Sequence, residues 1–438
     1  EQRHILCKAL SGLDYVLIQG PPGTGKTTFI GRWLVRLLLE QPDEQLLLLA
    51  YTNRAVDELC RVLTEEGIPF VRLGVREATA YPERLPVTLA QEGGLRGLWS
   101  ELQRSRVVLA TVATAVGTPE LFVLKEFSTV IVDEASQLLE SHLIGILCRV
   151  PKAVLIGDER QLPAIVQQAP KEAQVRAQRL RQLGIESFAM SLFERLLRQC
   201  IRNGWNHAYG MLRRQARMHV VLQEFPSRFF YGGKLESAGM PHQQQLLLPY
   251  ARAPQTQLES LLARHRLIFV ASEAEPHHRH FHSAEAHAAV AIVEALHRLW
   301  APREEELPQW LGIVTPFRLQ AHAIRSLLPP LLQRALTVDT VERFQGSQRE
   351  IVLVSLAVHR AQQLRWLHSP VRFPDGSLVD RRLNVMLTRA RQQLVLLGCP
   401  AALQRSFLYE QLLQHIRQRG CWVLIAQVHA LAATPCAP

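Results

Sequence analysis

Eight residues near the start of the sequence have the composition and spacing of a phosphate cradle. Gly20-Pro-Pro-Gly-Thr-Gly-Lys-Thr27 fits the pattern G-x-x-x-x-G-K-[ST] and lies between an apolar run, YVLIQ, and a helical stretch, TTFIGRWLVRLLL. Glycines let consecutive backbone N–H groups turn towards phosphate oxygens at a helix N-terminus. We expect Lys26 to reach the β and γ phosphates and the Thr27 hydroxyl to hold Mg²⁺. The predicted nucleotide contacts in this loop are Gly20, Pro21, Pro22, Gly23, Thr24, Gly25, Lys26, Thr27 and Thr28.

A second group with catalytic potential is the carboxylate pair Asp133 and Glu134. The pair directly follows an apolar run typical of a buried strand, and an α/β sheet places its functional groups at strand ends. Asp133 is predicted to hold Mg²⁺ through water, and Glu134 to orient the water that attacks the terminal phosphate. Two acids that simply cap a strand are the alternative interpretation. Together with the phosphate cradle, the pair predicts hydrolysis of a nucleoside triphosphate, although kinases, transporters and switches share these two features.

The composition is that of a folded globular protein with an excess of positive charge. The 438 residues are 47% hydrophobic and 20% charged, and the formal net charge is +11. A basic balance favours a nucleic-acid partner. However, 6 of the 50 basic residues are Lys and 44 are Arg, which a GC-rich coding bias would also produce.

The seven cysteines contain no C-x-x-C pair, and no apolar run has the length of a membrane span. We therefore expect no zinc site, disulfide framework or membrane partner, and a cytoplasmic or nuclear location.

Apolar runs alternate with helical patterns along the chain, as expected for doubly wound α/β domains built on parallel sheets. The first series of predicted strands is Tyr15–Gln19, Leu46–Tyr51, Val107–Ala110, Thr129–Val132 and Ala153–Ile156. The second series is Leu267–Val270, Leu311–Val314, Ala335–Val338, Ile351–Ser355 and Gln393–Leu397. The predicted organisation is two domains, residues 1–211 and 212–429, with a frayed tail over residues 430–438. A basic, exposed helix or insertion is predicted over Pro170–Arg181.

Eight segments, in this order, resemble the motifs of superfamily I helicases. They are QGPPGTGKTT at Gln19–Thr28, AYTNRAVDEL at Ala50–Leu59, VDEASQ at Val132–Gln137, IGDERQLPAIV at Ile156–Val166, RRQARMH at Arg213–His219, GIVTPFRLQ at Gly312–Gln320, TVERFQG at Thr340–Gly346 and RRLNVMLTRAR at Arg381–Arg391. The pattern is most similar to the Upf-like branch, superfamily IB, and within it to the helicase half of the Dna-two-type nuclease-helicases.

This resemblance implies two tandem RecA-like P-loop NTPase domains that use ATP and Mg²⁺ to move on single-stranded nucleic acid. The polarity of the branch implies movement from 5′ to 3′. Similarity to nuclease-helicases favours DNA over RNA, and DNA replication and repair as the setting. We expect a monomer, and any β-barrel or nuclease domain would lie upstream of Glu1.

The resemblance also assigns roles to individual residues. Gln2 is expected to read the adenine edge and Gln161 to sense the γ-phosphate, while Arg217 and Arg389 of the second domain contact the phosphates from across a cleft. Outside its motif, each of these would be an ordinary surface or loop side chain. The residues expected to touch the sugar-phosphate backbone of the strand are Thr52, Asn53, Thr111, Thr315, Pro316 and Thr340. As bare sequence, each is equally consistent with a helix N-cap.

Two positions depart from the family pattern, both on the side that recognises the nucleoside. Ala216 stands where relatives carry an aromatic residue that stacks on the base, and Gln348 stands where a Glu normally bonds the ribose. We therefore expect intact phosphate chemistry with weakened base recognition. If the protein nevertheless rejects other bases, Tyr15 or a residue from an upstream segment is the next candidate for the stacking role.

Four histidines, His277, His278, His280 and His282, form the segment HHRHFH. Metal binding is conceivable there, but no acidic or cysteine partner has ligand spacing, and an exposed loop is the preferred interpretation.

Two other function classes fit parts of this pattern. A nucleic-acid-stimulated ATPase that clamps or remodels complexes, or an RNA helicase, would carry the same motifs without processive DNA unwinding. A small-molecule kinase would share the phosphate cradle but would lack the pair Arg217 and Arg389.

Overall fold

The computed structural model describes residues 2–11, 13–169, 171–275, 280–344, 346–368 and 370–436. The chain forms two compact units, one made of residues 1–159 and 163–213 and the other of residues 160–162 and 214–438. The chain thus passes to the second unit after residue 213, where the sequence predicts 211. The segment 160–162 packs with the second unit although it lies within the predicted first domain.

The first unit is built on seven strands, β1 (Tyr15–Gln19), β2 (Leu46–Ala50), β3 (Val71–Arg72), β4 (Val107–Thr111), β5 (Thr129–Val132), β6 (Lys152–Gly157) and β7 (Tyr209–Met211). They form one parallel sheet in the order β3-β4-β2-β5-β6-β1-β7. Every residue of β2 is buried, because helices cover both faces of the sheet. Leu47 packs in one core layer and its neighbour Leu48 in the other.

The helices of the first unit follow these strands. The helix that begins at Lys26 has three consecutive parts, α2 (Lys26–Thr28), a π-helical stretch (Phe29–Val35) and α3 (Arg36–Leu38). The others are α1 (Gln2–Leu10), α4 (Asn53–Glu65), α5 (Pro86–Arg104), α6 (Val112–Gly117), α7 (Leu121–Leu124), α8 (Glu140–Leu147), α9 (Gln178–Gln182) and α10 (Leu192–Asn203). The basic helix predicted over Pro170–Arg181 is therefore reduced to the short α9, and Pro170 lies outside the described residues.

The second unit contains a six-stranded parallel sheet and two small two-stranded sheets. Its strands are β8 (Arg214–Gln215), β9 (Glu236–Ser237), β10 (Leu267–Ala271), β11 (Leu311–Thr315), β12 (Thr337–Thr340), β13 (Arg349–Ser355), β14 (Pro370–Arg372), β15 (Leu378–Asp380), β16 (Ala390–Gly398) and β17 (Cys421–Leu424). The main sheet has the order β12-β11-β13-β16-β10-β17. These two parallel α/β units confirm the predicted fold class of tandem RecA-like domains.

The helices of the second unit are α11 (Val220–Phe230), α12 (Pro241–Gln244), α13 (Gln257–Arg264), α14 (Ser283–Trp300), α15 (Leu307–Trp310), α16 (Arg318–Leu327), α17 (Pro330–Ala335), α18 (Leu364–Leu367), α19 (Arg381–Leu387), α20 (Pro400–Leu403), α21 (Phe407–Arg419) and α22 (Ile425–Ala433). The predicted strand Ala335–Val338 is shifted, since Ala335 ends α17 and β12 begins two residues later.

Residues 430–436 also differ from the predicted frayed tail. They finish α22, and Thr434 and Cys436 then form backbone hydrogen bonds with Gln257 and Gln255. Residues 437 and 438 lie outside the described residues.

The histidine segment is not a simple exposed loop. His282 is 1% exposed and caps α14, and its Nδ1 lies 3.0 Å from the Glu275 carboxylate. The half-buried ring of His280 packs on the rings of Phe317 and Trp366. The exposed-loop prediction is thus wrong for these two residues, while His277 and His278 lie outside the described residues.

Within the described ranges, no set of three or more His, Cys, Asp or Glu side chains is grouped for a metal ion. In the same ranges, none of the helices combines the length and apolar character that crossing a membrane requires.

Candidate nucleotide-binding and catalytic site

The phosphate cradle is a tight loop between strand β1 and helix α2. Its first residue is fixed by a hydrogen bond from the Gly20 N–H to the Gly157 carbonyl, 2.8 Å long. Gly23 and Gly25 have φ angles of 77° and 70°, a left-handed conformation that glycine adopts without a steric penalty. The Thr24 hydroxyl donates to the Pro21 carbonyl at 2.7 Å and closes the loop. The loop therefore leads directly into a helix N-terminus, where N–H groups and the helix dipole favour a phosphate.

Lys26 lies over this loop. Its Nζ donates to the Gly20 carbonyl at 3.0 Å and lies 3.4 Å from Glu134 Oε1. A Cβ on residue 20 would approach the Lys26 side chain to 2.4 Å, so glycine leaves the space that the lysine occupies. The predicted phosphate-binding lysine and the predicted catalytic carboxylate are thus brought together in the first unit.

Asp133 and Thr27 form the second part of the same cluster. Asp133 directly follows strand β5, is 3% exposed, and accepts hydrogen bonds from the Thr27 hydroxyl and the Glu134 N–H. Burial, and after it the Glu134 charge, raises the pKa of Asp133 to about 7, although Lys26 and the two hydrogen bonds act to lower it. Hydroxyl and carboxylate oxygens are ligands that Mg²⁺ prefers. The predicted pair therefore has the chemistry and proximity to hold this ion.

The backbone conformation of Glu134 helps to orient its side chain. Its φ angle of 54° is left-handed, a conformation that costs free energy for a residue other than glycine and that clusters at functional sites. The Gln137 amide donates to Glu134 Oε2 at 3.0 Å. The carboxylate is consequently oriented from one side by an amide and from the other by the Lys26 ammonium.

A neighbouring contact was not predicted from the sequence. The Gln19 amide donates to Glu159 Oε1 at 2.7 Å, and Glu159 is 4% exposed. Gln19 is the last residue of β1, and Glu159 lies two residues after the end of the adjacent strand β6. Since they are 140 positions apart, only the register of the parallel sheet brings them together.

The loop after β6 also packs tightly on the turn that follows Glu134. A Cβ on residue 157 would lie 2.8 Å from the Ser136 backbone nitrogen, and the Ser136 hydroxyl accepts from the Asp158 N–H at 3.1 Å. Gly157 is thus required for this close approach. The contact joins the carboxylate pair to the segment that carries Glu159.

In the second unit, the structure brings Arg389 and Gln161 together. Arg389 is 2% exposed, and it donates from Nη2 to Gln161 Oε1 at 2.5 Å and from Nη1 to the Ser347 carbonyl at 3.2 Å. Segment 160–162 is held further by Asn384, whose amide donates to the Arg160 carbonyl at 2.8 Å. The predicted γ-phosphate sensor and one predicted phosphate arginine are therefore direct hydrogen-bond partners.

Arg217 lies beside this pair. It donates from Nη1 to the carbonyl of Thr388, the residue before Arg389, at 3.1 Å, and from Nε to Gln348 Oε1 at 2.8 Å. Glu350, the acidic residue two positions after Gln348, forms an ion pair with Arg391. Ala216 is exposed. The position of the usual ribose-bonding Glu thus holds a glutamine that contacts an arginine.

The predicted strand contacts fall at the ends of paired strands. Thr52 and Thr111 cap α4 and α6 by accepting from backbone N–H groups, and Thr111 is paired in register with the last residue of β2. In the second unit, Thr315 and Thr340 are register partners at the ends of β11 and β12.

These side chains differ in accessibility. Thr52 and Asn53 are exposed and Pro316 is half-buried, whereas Thr315 is fully buried and accepts from the Phe317 N–H. Thr111 and Thr340 are 7% and 9% exposed. At this edge of the sheet, a ligand would therefore contact backbone groups of β11 and not the buried Thr315 hydroxyl.

Gln2, which is assigned to the adenine edge, is not brought to the loop by any described contact. Gln2 is exposed at the start of α1, and Thr28 is exposed one residue after the cradle. Tyr15 opens β1, at the opposite end of that strand from Gly20, and its hydroxyl lies 3.7 Å from Cys200 Sγ. Burial raises the pKa of Tyr15 to about 12. The suggestion that Tyr15 stacks on the base is therefore wrong.

Two family models described as AAA domains match the chain, one over residues 1–93 and 98–169 and the other over residues 188–401. The DNA replication ATP-dependent helicase/nuclease DNA2 of Gallus gallus is 29% identical over 435 residues, and that of Xenopus laevis is 31% identical over 444 residues. These matches cover 96% and 95% of this chain and 38% of each relative. The ATP-dependent helicase NAM7 of Saccharomyces cerevisiae is 29% identical over 465 residues, covering 96% of this chain and 43% of that protein. The chain therefore spans about two fifths of the length of the curated relatives it matches.

Proposed function

Because the chain belongs to the Upf-like branch of the superfamily I helicases, we propose that it is an ATP-dependent motor that moves 5′ to 3′ on single-stranded DNA and unwinds duplexes. The observation that carries the proposal is the cluster of Lys26, Thr27, Asp133 and Glu134 at the phosphate cradle. Two relatives are named as DNA replication helicases, which supports DNA as the strand. The proposal includes a monomeric protein. Its location would be the compartment that contains DNA, a nucleus or a bacterial cytoplasm.

Hydrolysis of ATP begins with binding of the phosphates in the cradle. The backbone N–H groups from Gly25 to Thr27, at the start of α2, hold the phosphate oxygens, and the Lys26 ammonium neutralises charge on the β and γ phosphates. Thr27 and Asp133 hold Mg²⁺, which when bound neutralises further phosphate charge. Glu134, already oriented by Gln137 and Lys26, aligns the water for in-line attack on the γ-phosphate.

The second unit supplies the charge that stabilises the transition state. Arg389 and Arg217 contact the phosphates of the same ATP, and Gln161 reports the presence of the γ-phosphate through its hydrogen bond to Arg389. A planar guanidinium suits the charge spread over the phosphoryl oxygens. Loss of this contact after hydrolysis is what changes the grip on the strand.

Strand binding is proposed to depend on the sugar-phosphate backbone at the ends of β2 and β4 and of β11 and β12. Short hydroxyls, amides and backbone groups at helix starts bind phosphates without reading sequence. Such contacts do not distinguish ribose from deoxyribose unless they reach the 2′-hydroxyl. The preference for DNA over RNA therefore rests on the named relatives and not on these backbone contacts.

ATP hydrolysis measured with single-stranded DNA, with single-stranded RNA and with neither tests this function. We expect DNA to stimulate the wild type at least about tenfold, and Glu134→Gln to lower turnover at least about 100-fold in all three conditions. Stimulation by RNA alone would identify an RNA motor. A rate indifferent to both polymers would contradict a nucleic-acid motor of any kind.

A further inference from the structure

A buried arginine lies directly behind one of the proposed strand contacts. Arg72, on the short edge strand β3, is completely buried. Its Nη2 donates to Asn53 Oδ1 at 2.8 Å, and its Nε donates to Asp57 Oδ1 at 3.3 Å. Asn53 and Asp57 lie one turn apart on α4. One guanidinium thus ties β3 to the start of the helix that carries the proposed contact.

This arrangement determines which way the Asn53 amide faces. Arginine has only hydrogen-bond donors, so the carbonyl oxygen of Asn53 must be the atom that faces Arg72. The two N–H donors of the exposed Asn53 amide are then turned away from β3. The neighbouring Thr52 hydroxyl oxygen accepts from the Ala55 N–H at 3.2 Å, which leaves its own O–H to donate. The exposed start of α4 therefore presents donors, and phosphate oxygens are acceptors.

The guanidinium is itself held firmly. A Cβ on residue 74 would lie 2.4 Å from Arg72 Nη1, so only glycine at this position leaves the guanidinium its space. The Asp57 carboxylate also accepts from the Thr79 hydroxyl at 2.9 Å and from the Ala80 N–H at 3.0 Å. A buried charge with a fixed, hydrogen-bonded partner is costly to displace. Arg72 is consequently a rigid support for a side chain that would otherwise rotate freely.

We propose that Arg72 is a positioning residue for strand binding, which fixes the Asn53 amide with its N–H groups towards the phosphates. The proposal rests on the proposed function, in which Asn53 contacts the strand. Arg72 touches no nucleic acid, because its side chain is buried. Its contribution is to remove the cost of ordering Asn53 when the strand binds.

A double-mutant cycle on strand affinity tests this role. Asn53→Ala should weaken binding of a fluorescent oligothymidine about tenfold, the scale of one hydrogen bond to a charged group. Arg72→Lys keeps the charge, but an ammonium lacks the planar fork that bonds Asn53 and Asp57 together, and it should weaken binding about fivefold. In the Asn53→Ala background, Arg72→Lys should change affinity less than about twofold, since the side chain it positions is gone.

Arg106→Lys is the matched control. Like Arg72, Arg106 links separate segments of the first unit by hydrogen bonds, donating to the backbone carbonyls of Leu39 and Gln41, but it lies at the opposite end of the sheet, just before β4 begins. Its replacement should lower stability and leave strand affinity within about twofold. Unfolding curves and ATP hydrolysis without strand show whether each variant is folded.

If Arg72→Lys does not fold, Gly74→Ala replaces it, because the added methyl group displaces the guanidinium without removing its charge. Equal losses from the Arg72 or Gly74 substitution with and without Asn53 would overturn the positioning role. So would normal affinity of a folded Arg72→Lys or Gly74→Ala variant. If the wild type binds strand and Asn53→Ala has no effect, this inference alone fails. If the wild type binds neither DNA nor RNA, the proposed function fails with it.

Discussion

Replacing Arg389 with Ala should remove the proposed contact of this arginine to the transition state of ATP hydrolysis. The guanidinium is buried and is held in place by the Gln161 amide oxygen at 2.5 Å and the Ser347 carbonyl at 3.2 Å. An arginine that acts on the transition state of phosphoryl transfer contributes about 10³-fold or more to kcat. We therefore expect Arg389→Ala to lower kcat at least about 10³-fold, with a smaller effect on ATP affinity.

The same geometry predicts the effect of removing its partner. Gln161→Ala loses one hydrogen bond to a charged group, which contributes about 1.5–3 kcal/mol, and it should lower kcat roughly 10- to 100-fold. The double variant Gln161→Ala, Arg389→Ala should be no slower than Arg389→Ala alone, because Gln161 acts through the arginine. Arg389→Ala should also lower the free energy of unfolding by roughly 2–4 kcal/mol, since buried acceptors lose their donor.

Single-turnover hydrolysis at saturating ATP and strand is the assay, because it separates chemistry from product release. Arg266→Ala is the matched control. Arg266 is 7% exposed and donates to the Gln392 side chain and the Leu247 carbonyl, each at 2.7 Å, but it lies in none of the helicase motifs. It should lose comparable stability and keep its rate. A folded Arg389→Ala variant that retains more than about a tenth of the wild-type rate would refute the role of this arginine.

Glu134→Gln should bind ATP and strand normally but hydrolyse ATP at least ~100-fold slower. Equilibrium nucleotide binding and steady-state turnover measure these two effects, and near-normal turnover would contradict the role of Glu134 in orienting the attacking water. Ala216→Tyr should lower KM for ATP up to about tenfold with kcat nearly unchanged, because an added base-stacking contact is uniform binding; competition by GTP in the wild type, absent in the variant, is the companion measurement. The buried His219 ring bonds the Gln245 carbonyl, and burial lowers its pKa to about 4, so the unfolded chain takes up a proton first as the pH falls. The free energy of unfolding should therefore fall by up to roughly 3 kcal/mol between pH 6.5 and pH 4, a slope that urea unfolding detects and that His219→Gln should lack.

The parts of the site that the sequence predicts are those in which residues close in the chain act together. The phosphate cradle and the Asp133–Glu134 pair depend on a strand, a tight turn and the start of the next element, so their spacing is visible in one short segment. The contacts that sequence reasoning missed, Gln19 with Glu159 and Arg72 with Asn53, join residues on separate elements. Neither partner has a signature by itself, because the pairing arises only from strand order.

The segments that the sequence predicts incorrectly are those whose local composition does not determine their structure. Three of the four residues in the run Ala335–Val338 are apolar, so its pattern does not reveal that a helix ends and a strand begins within it. The histidine segment has a polar composition that indicates an exposed loop, yet His282 is buried because it caps α14 and contacts the Glu275 carboxylate. Residues 430–436 lack strong periodicity and are ordered by backbone hydrogen bonds to a distant segment. For the histidine segment and for residues 430–436, a tertiary contact decides what local composition leaves open.

Strand displacement on duplexes that carry a single-stranded tail of one polarity tests the central claim most directly. In the presence of ATP, the wild type should separate a DNA duplex with a 5′ tail and leave one with a 3′ tail intact, and Glu134→Gln should separate neither. A wild type whose ATP hydrolysis responds to the strand but which separates neither duplex, or which prefers the 3′ tail, would contradict a 5′ to 3′ helicase.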